Sequence, residues 1–183
     1  CKNDPIPALG KIKPIQGVCK IGYLGSINID RVKSLQVLTR AIQENHLYRL
    51  NYFTPVPKEK IQEMGLLIKN SSVKFIPDNE QLMKELDECD ILFLPMALTD
   101  DQQEREIQVK TGFPTKAIEY LSCQVPMLLH SDKGSFCANF FEEYQCAYIL
   151  YNKKDEEMLD ALKHLCSDSD LRKKILSNSI RAL

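Results

Sequence analysis

No stretch of this chain stays apolar for the ~20 residues that a membrane-spanning helix requires, and no hydrophobic leader of the secretory kind opens it. Neither sign of charge is in excess. Lys and Arg number 24 against 25 Asp and Glu, a formal net charge of -1. That balance excludes a global field drawing in nucleic acid or an anionic membrane, so any phosphate recognition must come from a local site. The seven cysteines (1, 19, 89, 123, 137, 146 and 166) are odd in number and contain no CxxC pair. Several sit inside apolar runs, as in Val18-Cys19-Lys20-Ile21 and Leu121-Ser122-Cys123. Such placement suits small reduced core residues better than a disulfide framework or a zinc site, and it points to the cytoplasm.

Signature motifs are scarce too. The chain holds no GxSxG elbow, no P-loop and no HExxH, and His46, His130 and His164 are scattered. No metal or cofactor is called for. The Gly22-Tyr23-Leu24-Gly25 turn falls short of the dinucleotide fingerprint, because no third glycine follows. The second strand ends in Phe53-Thr54-Pro55, where a nicotinamide site would want an acid for the ribose. A dehydrogenase is disfavoured.

What is present is an ordinary globular composition, 44% hydrophobic and 27% charged, over 183 residues. That length fits one domain with a real core. The chain opens on Cys1 instead of Met, which suggests a piece of a longer protein. Residues 1–16 carry three prolines and read as an irregular lead-in to a single domain over 17–183.

From residue 17 the pattern alternates. Strands are expected at 17–25, 47–54, 71–76, 90–96, 125–131 and 146–151. Helices are expected at 30–46 with Asp30 as cap, at 57–70 with Pro57 in first place, and at 78–89 with an Asp78–Gln81 capping box. Further helices fall at 114–123, 135–144, 155–167 and 169–183. The fold class is therefore α/β, a doubly wound, Rossmann-like parallel sheet of about six strands with helices on both sides. The polar segment 97–113 breaks the rhythm directly after a buried strand.

Ligands of an open parallel sheet bind beyond the carboxyl ends of its strands. Three loops occupy that edge: Gly25-Ser26-Ile27-Asn28, the 97–113 segment, and Thr111-Gly112-Phe113-Pro114-Thr115-Lys116. In the last, Gly112 admits close approach, Pro114 presets the first turn, and the amides of Thr115 and Lys116 stand at the positive end of a helix dipole. Either an anion seats there or the helix is simply capped, with a solvated lysine. Glu119 lies one turn deeper. It is a surface acid beside Lys116, or a carboxylate that grips a cis-diol such as a ribose. His130, at the end of a buried strand on the same edge, is a further candidate contact.

Together these segments resemble the carboxyl-terminal domain of a GT-B glycosyltransferase of the large retaining family called group 1. The resemblance runs from about residue 19 to the end. It rests on Ile21-Gly22-Tyr23-Leu24-Gly25, Val73-Lys74-Phe75-Ile76-Pro77 and Asp90-Ile91-Leu92-Phe93-Leu94-Pro95. Most specific is Pro114-Thr115-Lys116-Ala117-Ile118-Glu119-Tyr120-Leu121, followed by Val125-Pro126 and a tail from Leu165 to Leu176.

The resemblance implies a domain that binds a nucleoside-diphosphate sugar, while a separate amino-terminal domain holds the acceptor and could bring peripheral membrane association. Glu119 would hold the ribose, Thr115 and Lys116 the diphosphate, Gly25 and Ser26 the phosphate side of the first loop, and the backbone at Ile76 the base. Three departures stand out. The donor-sugar glutamate of many members is here Thr111, which shifts that role toward Glu104 or Glu106. The basic residue after the first-loop glycine is Ser26, with Arg31 or Lys33 as substitutes. The glycine of the third strand is Pro77. The competing reading is a non-catalytic Rossmann-like module for partner binding or regulation.

Overall fold

A computed structural model describes residues 14–98 and 112–183 of the chain. Six strands form one parallel sheet: β1 Cys19–Leu24, β2 Tyr48–Phe53, β3 Ser71–Lys74, β4 Ile91–Pro95, β5 Met127–His130 and β6 Tyr148–Leu150. Their spatial order is β3-β2-β1-β4-β5-β6. The chain thus winds outward from β1 to β3, then returns past β1 and winds the other way. The switch falls between β1 and β4, the place where such sheets bind ligands.

The helices are α1 Ile29–Ile42, α2 Lys58–Glu63, α3 Asn79–Asp87, α4 Lys116–Ser122, α5 Phe136–Tyr144, α6 Asp155–Ser167 and α7 Ser169–Ala182. Strand alternation divides the core between the two faces. In β4, Ile91 and Phe93 join a cluster with Leu35, Leu38 and Leu162, while Leu92 and Leu94 join Tyr120, Leu121 and Phe141 on the other side. All five β4 residues are buried, which explains why "ILFLP" is a continuous apolar run. β3 is an edge strand with no buried residue, consistent with its polar Ser-Ser start.

Two local expectations fail. Asp30 is not the cap of α1; that position belongs to Asn28, and Asp30 lies in the first turn, where its charge suits the dipole. The helix from 57 is much shorter than its periodicity suggests. Pro57 precedes it as N-cap, and Gly65, at φ +69°, ends it after Met64. The Asp78 cap is present, its side chain accepting the Gln81 N–H at 2.7 Å.

Candidate functional site

The site begins where β1 stops. Gly25 has φ +127°, a conformation that residues with a side chain rarely adopt. A Cβ placed there would stand 3.6 Å from Arg31 Nη1 and 3.8 Å from Lys116 Cγ. The Arg31 guanidinium and the aliphatic stem of Lys116, from the starts of α1 and α4, therefore both pack against the position of Gly25. Arg31 Nη1 lies 3.4 Å from the Ser26 carbonyl, which also accepts the Tyr23 hydroxyl at 2.8 Å. Burial raises the Tyr23 hydroxyl above its ordinary pKa, and the neighbouring Arg31 charge pulls it back.

A cavity of about 240 Å³ opens at this point. Its lining combines Gly25, Ser26 and Lys116 with the apolar Phe53, Phe75 and Ile76. Phe75 leaves 67% of its surface open, unusual for so large an aromatic. A larger cavity, about 640 Å³, lies at the opposite edge and is lined by Lys20, Asp90 and Arg172. Volume does not decide between them: in an open parallel sheet the carboxyl edge carries the ligand.

Glu119 sits in the first turn of α4. Its Oε1 accepts from Lys116 Nζ at 2.9 Å, so the simple helix-neighbour pairing is present. Its Oε2, however, is buried with no hydrogen-bond partner among the described residues. A carboxylate oxygen out of water and unpaired is costly, and such atoms mark a place where a hydroxyl or N–H would be favourable. Since Lys116 lines the cavity, the Glu119 carboxylate is joined to its wall through the Oε1 ion pair.

The remaining expected residues divide. Thr115 is exposed at the N-cap of α4, with helical dihedrals and no side-chain cap bond, and Pro114 is buried with its carbonyl accepting the Ala117 N–H at 2.9 Å. Gly112 is half-buried beside them. Phe113 packs into an aromatic group, 5.1 Å from Phe140 and 6.1 Å from Phe136 between ring centres, and so anchors the loop. Lys33 is exposed on α1 and does not line the cavity. Thr111, Glu104 and Glu106 lie outside the described residues.

His130 is not a ligand contact. It is wholly buried, with Nδ1 2.8 Å from Ser34 Oγ and Nε2 3.0 Å from the Asn152 carbonyl. A carbonyl only accepts, so Nε2 carries the proton and Nδ1 accepts from Ser34. Burial lowers its pKa to about 4, leaving a neutral imidazole that ties α1 to the end of β6.

Sequence reasoning missed Phe53, Thr54 and Pro55 as cavity wall, having weighed them only for an absent acid. It also missed Tyr120, whose hydroxyl accepts the Leu24 N–H at 2.7 Å and donates to the Phe93 carbonyl at 3.2 Å. A tyrosine among apolar neighbours gives no sign of which backbone groups it will meet. Among the described residues no group of three or more His, Cys, Asp or Glu is placed to hold a metal ion.

Comparison with known proteins places these features. No curated protein matches the chain by sequence. Among solved structures, the carboxyl-terminal domain of a glycosyl transferase group 1 family protein from Francisella tularensis superposes with TM-score 0.61 at 18% identity, covering 91% of this chain and 84% of that one. The Anabaena protein HepE, in complex with UDP-glucose, gives 0.62 at 13% identity over 91% of this chain and 44% of its own. A TarM variant from S. aureus, in complex with fondaparinux, α-GlcNAc-glycerol and UDP, gives 0.65 at 14% identity over 98% and 34%. The chain thus spans most of an isolated carboxyl-terminal domain and less than half of the two longer proteins. At such identities these likenesses establish the fold. The family described as glycosyl transferases group 1 matches residues 56–182, more than half of the sequence, and the chain belongs to that family.

Proposed function

We propose that this chain is the donor-binding domain of a glycosyltransferase, which takes a sugar from a nucleoside-diphosphate sugar and passes it to an acceptor held by a separate domain. The observation that carries the reading is the packing of the Arg31 and Lys116 side chains against Gly25, beside a cavity whose lining also holds Phe53, Phe75 and Ile76. A nucleoside diphosphate combines the matching parts, a flat base at one end and concentrated negative charge at the other.

Each residue then has a chemical task. Phe75 offers its open ring face to the base, and the backbone at Ile76 its edge. Glu119 accepts ribose hydroxyls, giving its unpaired Oε2 a partner. Lys116 and Arg31 meet the diphosphate, with Thr115 and the Gly25-Ser26 loop beside them. As the bond from the sugar's anomeric carbon to the diphosphate oxygen breaks, negative charge grows on the departing phosphate. Cations fixed at that point stabilise it most in the transition state.

The cavity, at about 240 Å³, is smaller than the ~300–1,000 Å³ that encloses a whole small ligand. A facing domain would complete it, exclude water and position the acceptor. The complexes of HepE with UDP-glucose and of TarM with UDP support a nucleotide-sugar donor. The cytoplasm, where nucleotide sugars are made, suits this role, and no helix among the described residues is long and apolar enough to cross a membrane.

Titration calorimetry of the intact protein with UDP and GDP tests the reading. Micromolar binding of one nucleotide is expected, weakened roughly tenfold or more (~1.4 kcal/mol) by Glu119→Ala in a variant that keeps its circular dichroism spectrum. No heat with either nucleotide, or equal affinity in the variant, overturns it.

A further inference from the structure

Lys116 opens α4 and Glu119 follows three residues on, so the two side chains share one face of the helix. The donor reading gives them different tasks, the diphosphate for Lys116 and the ribose for Glu119. With no ligand bound, each occupies the other: Lys116 Nζ donates to Glu119 Oε1 at 2.9 Å. The second carboxylate oxygen, Oε2, is out of water and has no partner among the described residues. One oxygen is thus engaged and the other closed off, so a cis-diol reaches both only when the ion pair opens.

The pair is built to open. Its side chains are 34% and 37% exposed, which leaves it neither locked in the core nor lost to solvent screening. Lys116 lines the cavity, and its Cγ packs 3.8 Å from the place a Gly25 Cβ would take. The stem is therefore held at the first-strand loop, while the outer carbons and the ammonium keep their rotations.

We propose that the Lys116–Glu119 ion pair is a latch that couples the two halves of the donor, and that Lys116 thereby selects a nucleoside diphosphate over either half alone. The inference rests on the donor reading above and deepens it. An anion by itself must draw the ammonium from its carboxylate and then sit beside an unpaired like charge. A nucleoside by itself must compete with the ammonium for Oε1. The joined ligand replaces both ends of the pair at once, hydroxyls on Glu119 and phosphate on Lys116. Each half makes the other easier to bind, and by linkage the favour is mutual.

Titration calorimetry of the intact protein with inorganic pyrophosphate, in buffer free of divalent cations, tests the latch. Pyrophosphate carries the diphosphate charge without base or ribose. Glu119→Gln keeps the side chain's size and removes its charge. It should bind pyrophosphate roughly two- to fivefold more tightly than the unaltered protein, while binding the nucleoside diphosphate more weakly. That gain should vanish in a Lys116→Met background, where the single and double variants bind pyrophosphate alike. Equal or undetectable pyrophosphate binding by the unaltered protein and Glu119→Gln, with matching circular dichroism spectra, overturns the latch. A gain that persists without Lys116 also overturns it, because plain repulsion by the carboxylate then accounts for the effect. Both results leave the donor reading standing if UDP or GDP still binds. Absence of heat with either nucleotide in the unaltered protein overturns the donor reading and the latch together.

Discussion

The Tyr120 hydroxyl stands between β1 and β4, accepting the Leu24 N–H at 2.7 Å and donating to the Phe93 carbonyl at 3.2 Å. The two strands are paired at Ile21–Ile91 and Gly22–Leu92, and a few residues on the phenol takes over the joining. It sits at the reversal of strand order, next in sequence to Glu119 and against the residue before Gly25. One buried side chain thereby fixes the distance between the first-strand loop and the helix that carries Lys116 and Glu119.

Tyr120→Phe should therefore act on both stability and binding. It leaves the Leu24 N–H and the Phe93 carbonyl buried without this partner, at a cost of about 1–3 kcal/mol. For a domain of this size that is a fall of about 2–4 °C in melting temperature per kcal/mol. Thermal melts and nucleotide titration check it together. An unchanged melting temperature would remove Tyr120 from the role assigned here.

Gly25→Ala should weaken nucleotide binding more than it weakens the fold. The φ of +127° strains any side chain by about 1–3 kcal/mol. The loop relieves that strain by moving, and in moving it disturbs the meeting point of Arg31 and Lys116. Urea unfolding against nucleotide affinity separates the two effects; wild-type affinity in Gly25→Ala would contradict the site.

His130 should make stability depend on pH. Its pKa is about 4 in the fold and 6.5 in the ordinary state. Above 6.5 both folded and unfolded chains carry it neutral, and it adds no pH dependence. As pH falls from 6.5 toward 4, the unfolded chain takes up the proton first, so stability declines, by about 3 kcal/mol at the most. Asp132 and Lys153 also influence the ring, in opposite directions. Urea unfolding at pH 7.5, 6 and 5 should show a drop that His130→Gln lacks; parallel curves for the two proteins would refute it.

Legibility in the sequence followed the range of the forces involved. Alternating apolar and amphipathic segments announced all six strands, because burying a sheet on two faces demands continuous apolar runs such as 91–95. The short α2 went unseen because one glycine ended a helix whose periodicity promised more. The run Pro114 to Leu121 marked the helix that begins at the carboxyl edge of the sheet. Whether Glu119 faced water or a partner could not be read from its i-3 lysine, since both answers share that spacing. The fold supplies the resolution: one oxygen paired to Lys116, the other buried and unmatched among the described residues.

What the amino-acid order determined alone was the class of fold, because residue pattern decides which segments must be buried and in what layers. Tertiary structure alone decided which side chains meet. Lys116 is far along the chain from Gly25 and Arg31, as Tyr120 is from Leu24, and each meeting follows from the strand order. Contact between remote residues depends on how whole elements pack, and no local preference of either residue encodes it.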